Sequence, residues 1–315
     1  MAQACELETL NKAFSGHGIH EQALISILGK WEPEERNILP EGKSPLLQRG
    51  MNAILSGGMI TMSSFSSANS LRFKNAVVLW TMHPWERDAR LVKEALEKGP
   101  QLYGIIVEVA CTRSAEELLG ARRAYHSLFD HSIEEDVAHH IKSNERKLLV
   151  ALVSAYRYEG TKVKEDAAKS EAKELHNAIK NADKRKPIED DEVVRILTTR
   201  SKPHLQAIYK HYKEISGKNI DEDLDADLLL KDTVQCLCTP PKYFSKVLDT
   251  TLEKDVDKMT KKALTRVIVT RADTDMKEIK EEYNKQYGVS LSEKIEDTSN
   301  GNYKDFLLTL IARGG

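Results

Sequence analysis

Five aspartates, Asp221, Asp223, Asp225, Asp227 and Asp232, stand at the spacing by which an EF-hand loop ligates calcium. Ala226 occupies the slot where that loop needs glycine for its turn, so the run reads instead as a solvated approach to a helix, with acids favoured at its N-terminus. Gly42-Lys43-Ser44 imitates the end of a phosphate loop, but the earlier glycine falls at Asn37 and no strand precedes it, so phosphate cradling is rejected. Gly16-His17-Gly18, taken alone, is a turn between helices. The four cysteines, Cys5, Cys111, Cys236 and Cys238, contain no C-x-x-C pair, and a reducing cytosol is their natural compartment.

Charge narrows the partners. The chain carries 47 basic and 49 acidic residues, a net charge of −2 over 315 residues. Such a balance gives no global pull on nucleic acid, and an anionic partner must be met by a local patch or a bridging cation. The first residues, MAQACELETL, carry acid rather than a basic secretory signal, and no apolar run approaches a membrane span.

The elements that must position these groups are repeated. Thr112-Arg113, Thr199-Arg200 and Thr270-Arg271 each follow an apolar run. Twelve residues after each arginine comes a tyrosine: Tyr125, Tyr212 and Tyr283. Aliphatics follow at twenty residues (Ile133, Ile220, Leu291) and at twenty-four (Val137, Leu224, Ile295). A frame kept at these offsets in three places is internal repetition, in which each unit buries its face against a neighbour. LISILGKW, Leu24 to Trp31, marks an eroded first copy with Lys30 in place of the arginine. The arginines are expected to fix packing by hydrogen bonds, and the tyrosines to be core residues with a polar tip.

Periodicity predicts helix nearly throughout. Apolar residues at 89, 91, 92, 95 and 96 make one helical face, after Pro84 in a first turn. Ser114 with Glu117 is a capping box, and Gly288 ends a helix. Residues 40–70 have weak periodicity, and 181–191, NADKRKPIEDD, read as a charged linker.

An apolar run, Thr-Arg, a tyrosine twelve later and then a Leu/Ile-rich helix together resemble the annexin repeat. Residues 263–298 look like the fourth repeat of plant annexins, and VACTRSAEELLGARRAYHSLF and VVRILTTRSKPHLQAIYKHY look like the second and third. The resemblance implies an all-α fold of four annexin repeats, each of five helices, forming a curved disc. The repeats would occupy residues 1–80 (eroded), 81–158, 159–241 and 242–315. It implies a calcium-dependent phospholipid-binding protein, cytoplasmic and peripheral to membranes, acting in membrane or stress signalling and without catalysis of its own. The alternative is a calcium-insensitive scaffold serving as a protein or lipid interaction module. Acidic phospholipid membranes are the implied partner, with other annexins beside them. Val194-Arg195-Ile196 is close to an Ile-Arg-Ile motif proposed for actin binding, but reads more simply as the buried face of a helix.

Residue by residue, the resemblance places a weak calcium site in the first repeat only. The carbonyls of Phe14, Gly16 and Gly18 would ligate, with His17 and Ile19 touching the membrane. The carboxylate position of the motif holds Asn69, which brings oxygen without charge. The second loop, EKGPQLYG, lacks the paired glycines; the third, KNADKRKPIEDD, and the fourth, EKDVDKMTKK, have no glycine, although Asp297 remains near the fourth carboxylate position. Those three loops are expected to be empty. Cys111 and Cys236 stand where plant annexins often carry a cysteine pair, a redox candidate whose plainer reading is two small buried hydrophobes.

Overall fold

The computed structural model describes Thr9, residues 21–33 and residues 68–314. Among the described residues every regular element is helical. In chain order the α-helices are α1 (Glu21–Leu28), α2 (Ala68–Thr81), α3 (Pro84–Lys98), α4 (Tyr103–Thr112), α5 (Ala115–Phe129), α6 (Ile133–His140), α7 (Glu145–Val153) and α8 (Glu165–Lys180). They continue as α9 (Asp191–Thr199), α10 (Lys202–Ser216), α11 (Leu228–Cys238), α12 (Pro240–Thr251), α13 (Lys258–Arg271), α14 (Met276–Tyr287), α15 (Leu291–Thr298) and α16 (Gly301–Ala312). None is long and apolar enough to cross a membrane.

Local signals account for the boundaries. Ser114, Ser132 and Ser290 each form a complete capping box, with Glu117, Glu135 and Glu293 reaching back to the cap N–H. Gly217 and Gly288 end α10 and α14 in the left-handed conformation. The apolar stripe of α3 turns inward as its spacing predicts: Ala89, Leu91, Val92, Ala95 and Leu96 are all buried.

The chain divides into two compact units, Pro84–Tyr243 and Met1–His83 with Phe244–Gly315. In the first, α3 packs on α5, α4 on α11, α8 on α10, and α7 on α6 and α9. Gly120 lets the Trp85 ring lie directly on α5; a Cβ there would sit 2.2 Å from ring carbons. In the second unit α2 packs on α13 and α16, and α16 also on α1.

The repeated frame lies in the core. Tyr125, Tyr212 and Tyr283 are fully buried, and so, within a few per cent, are Ile133, Ile220, Leu291, Val137, Leu224 and Ile295. Each buried aliphatic contributes on the order of 1.5–3 kcal/mol of transfer free energy.

Candidate functional site

The three described corners between the first two helices of a repeat differ in construction. At the second, Gly99 takes φ 98° and opens a 3-10 turn, Pro100–Leu102. Its carbonyl accepts from Leu102 N–H at 3.0 Å, and that of Lys98 accepts from Gln101 Nε2 at 2.6 Å. The third corner closes on itself: Ala182 N–H donates to Ile179 O, Lys184 N–H to Asn181 O and Glu189 N–H to Lys186 O. Asp190 caps α9 through Glu192 N–H at 2.9 Å and Val193 N–H at 3.3 Å. At the fourth corner Asp255 takes φ 66° despite its Cβ. Aspartate tolerates this region better than most residues, so missing glycine does not by itself forbid the turn. Asp257 there is committed to capping α13, and Asp297 is exposed in α15. Among the described residues no three His, Cys, Asp or Glu converge to hold a metal. Phe14, Gly16, His17, Gly18 and Ile19 lie outside the described residues, and Asn69 is placed only as a position in α2.

The Thr-Arg pairs are clasps. All three threonines lie in the last turn of a helix and donate to the carbonyl four residues back: Thr112 to Glu108, Thr199 to Arg195, Thr270 to Arg266. Arg113 grips Asp88 of α3 bidentately, at 2.6 and 2.8 Å. Arg200 reaches Glu171 of α8, which Arg195 and His204 also bind. Burial pushes the Glu171 carboxyl up, but those donors outweigh it and hold the group below the usual carboxylate range. Arg271 differs: it grips Asp275 four residues on, at 2.7 and 2.8 Å, and its guanidinium lies over the Phe244 ring at 4.8 Å. The tyrosine tips are also anchored to acids. Tyr125 donates to Asp136, Tyr212 to Asp223, and Tyr283 to Asp249 of α12.

The aspartate run scatters rather than converging. Asp221 is buried and accepts from Tyr209, Gln235 and Lys242, which corrects the expectation of a fully solvated run. Asp225 pairs with Lys231, and Asp227 caps α11 through Leu230 N–H. Cys111 and Cys236 are both buried, with no disulfide. Burial pushes the Cys111 thiol up to about 11 against the opposing charges of Arg157 and Lys202. Cys238, which shares the field of Arg157, is pushed up to about 12. Val194 and Ile196 are buried in α9, while Arg195 binds Glu192 and Glu171.

Sequence reasoning missed two arginines that occur outside the repeated frame. Arg157 donates to Leu197 O and Arg200 O, closing the end of α9. Arg313 donates to Gly29 O and Asp273, pairs with Glu32, and lies over Trp80 at 5.4 Å. It thus brings a guanidinium to the helix end where the first copy has Lys30. The only signal for either was a basic residue soon after a helix that ends in an apolar stretch.

Helices joined by recurring Thr-Arg clasps and buried tyrosine–acid bonds define an all-helical repeat protein, and comparison with known proteins gives the family. The family model described as Annexin matches residues 87–152, 170–229 and 250–310, each stretch holding one Thr-Arg pair. Annexin D4 of Arabidopsis thaliana is 52% identical over 318 residues, covering 99% of this chain and 99% of that protein. Among solved structures, annexin III aligns over 100% of this chain and 94% of that one, with TM-score 0.79 and 26% identity. Chicken annexin V in complex with Zn2+ aligns over 100% and 96%, with TM-score 0.79 and 25% identity. The chain belongs to the annexin family, and its sequence is of the plant type.

Proposed function

We propose that this annexin binds acidic phospholipid membranes peripherally from the cytoplasm, assisted by calcium held weakly at the first-repeat corner. The observation that carries the reading is the family match along nearly the whole chain. The four repeats would take residues 1–80, 81–158, 159–241 and 242–315. The division of the chain at 83/84 and 243/244 falls close to two of those boundaries. Weak calcium binding is supported by the corners themselves. A family-type loop needs several carbonyls aimed at one cation, plus a carboxylate. The second corner has one left-handed glycine, and the third spends its carbonyls on its own N–H groups. At the first, Phe14, Gly16 and Gly18 would ligate with Asn69, leaving vacancies for lipid phosphate and placing His17 and Ile19 at the headgroups. The role is binding rather than catalysis, within membrane or stress signalling.

The test is a calcium titration of co-sedimentation with vesicles containing phosphatidylserine, for wild type and Asn69→Glu. Calcium should promote binding, and the added carboxylate should lower the calcium required. If calcium has no effect and the variant matches wild type, the calcium-insensitive module replaces this reading.

A further inference from the structure

Residues 156–164, between α7 and α8, form no helix or turn. The near end of this segment is fastened. Arg157 donates to Leu197 O and Arg200 O, Tyr158 N–H donates to Thr199 O at 3.1 Å, and Glu159 accepts from Ala115 N–H at 2.7 Å. Gly160 permits this course, because a Cβ there would lie 1.9 Å from the Tyr158 hydroxyl. Beyond it Thr161, Lys162 and Lys164 are exposed, and no backbone group of residues 160–163 is hydrogen-bonded to a described residue.

Lys164 closes the segment. Its backbone is extended (φ −101°, ψ 100°), it precedes the first turn of α8, and no side chain caps that turn. Its ammonium makes no hydrogen bond or ion pair among the described residues. Val163 stands before it, half-buried. Asp166 stands two residues after it, exposed and likewise without a described partner. Glu165, between them, is held by His211 at 2.8 Å.

Lysine is the side chain to which ubiquitin-like proteins are joined. The conjugating enzyme takes the chain around the lysine into a groove, which requires an exposed stretch whose backbone is not already spent. Modifiers of the SUMO type add a side-chain requirement: an aliphatic residue directly before the lysine and an acid two after it. In an extended chain, side chains two apart project to the same side, so the acid follows the lysine into the enzyme's basic groove. Ile, Leu or Val before a lysine, with Asp or Glu two residues after it, occurs at 163–166 and at 279–282. At the second place Ile279 is fully buried within α14, so the fold withholds it.

We propose that Lys164 is the acceptor of a small ubiquitin-like modifier. The modifier arrives as a glycyl thioester on the cysteine of its conjugating enzyme. Lys164 Nζ, having lost one proton to water, attacks the thioester carbonyl. The C–N isopeptide bond forms, the C–S bond breaks, the cysteine leaves as thiolate and the former amine releases its second proton. The first turn of α8 has to open for this. It lacks a cap, and its one side-chain hydrogen bond among the described residues is that of Glu165 with His211. Tyr156 and Tyr158, 81% and 59% exposed, offer the enzyme aromatic surface beside the acceptor.

The test incubates the full chain with ATP, a SUMO-type modifier and its activating and conjugating enzymes, and maps adducts by peptide mass spectrometry. Wild type should carry one modifier, on Lys164. Lys164→Arg should lower the adduct yield at least about tenfold, because a guanidinium does not deprotonate to a nucleophile. Lys162→Arg, at the neighbouring exposed lysine, should leave the yield unchanged, and Asp166→Asn should reduce it several-fold. Circular dichroism checks that each variant keeps its helices. Adducts spread over several lysines, with the same total in Lys164→Arg, overturn the proposal. An unmodified wild type beside a modified control substrate in the same mixture overturns it too. So does a wild-type rate for Asp166→Asn, because the acid then plays no part in recognition.

Discussion

Arg113 and Asp88 face each other with side chains only 8% and 2% exposed. Two N–H groups in the guanidinium plane meet two carboxylate oxygens, so the pair offsets its desolvation by geometry as well as charge. Removing one partner leaves the other ion buried without compensation. Arg113→Met is expected to lower stability by about 3–5 kcal/mol. Arg113→Lys should recover only part of this, because an ammonium cannot make the parallel pair of bonds. Urea unfolding midpoints of the two variants check this, and a wild-type midpoint for Arg113→Met would refute the clasp. The same residue type solves the problem differently at Arg271, where a local aspartate and the Phe244 ring replace the acid of a distant helix.

Helices α8 and α10 are tied at their ends by His211, whose two ring nitrogens lie 2.8 Å from Glu165 and 2.9 Å from Glu214. The hydrogen bond with Glu165, and then that with Glu214, raises the imidazole pKa, while both carboxyls are held below their usual range. A histidine whose folded pKa exceeds its unfolded value stabilises fully below the unfolded value, and that contribution is lost as pH rises through the folded one. The carboxylates act oppositely, their contribution vanishing as acid protonates them. The clasp is therefore strongest in mild acid. The thermal midpoint should fall between about pH 6 and pH 8, and His211→Gln should flatten that fall. Parallel slopes for wild type and variant in a pH series of melting curves would count against the clasp.

For the whole molecule, a net charge of −2 with neutral histidines leaves its interaction with an anionic surface finely balanced, so a small gain of positive charge decides its sign. In chelator, binding to phosphatidylserine vesicles should rise from about pH 7.5 to about pH 6. If His17 and His20 carry that response at the first corner, His17→Asn/His20→Asn should weaken it. An unchanged rise in that variant would move the effect to the remaining histidines. Vesicles of phosphatidylcholine alone should show no change, because the effect is electrostatic.

What the residues determined without help from tertiary contacts was the periodic part. The helix start at Ser114, the stop at Gly288 and the inward face of α3 each depend on groups within a few turns of one another. Those signals survive in a linear reading because their geometry is that of a single helix. The partners were not legible. Arg113, Arg200 and Arg271 share one sequence frame, yet their acids lie 25 and 29 residues before them and 4 after. Asp221 looked solvated within its acidic run, and only the approach of Tyr209, Gln235 and Lys242 buries it. Asp255 reached a left-handed turn where glycine seemed necessary. For Arg113, Arg200 and Asp221 the outcome is decided by which side chains the fold brings opposite, and packing between elements sets that, since burial removes water and obliges every polar group to find whatever partner lies near.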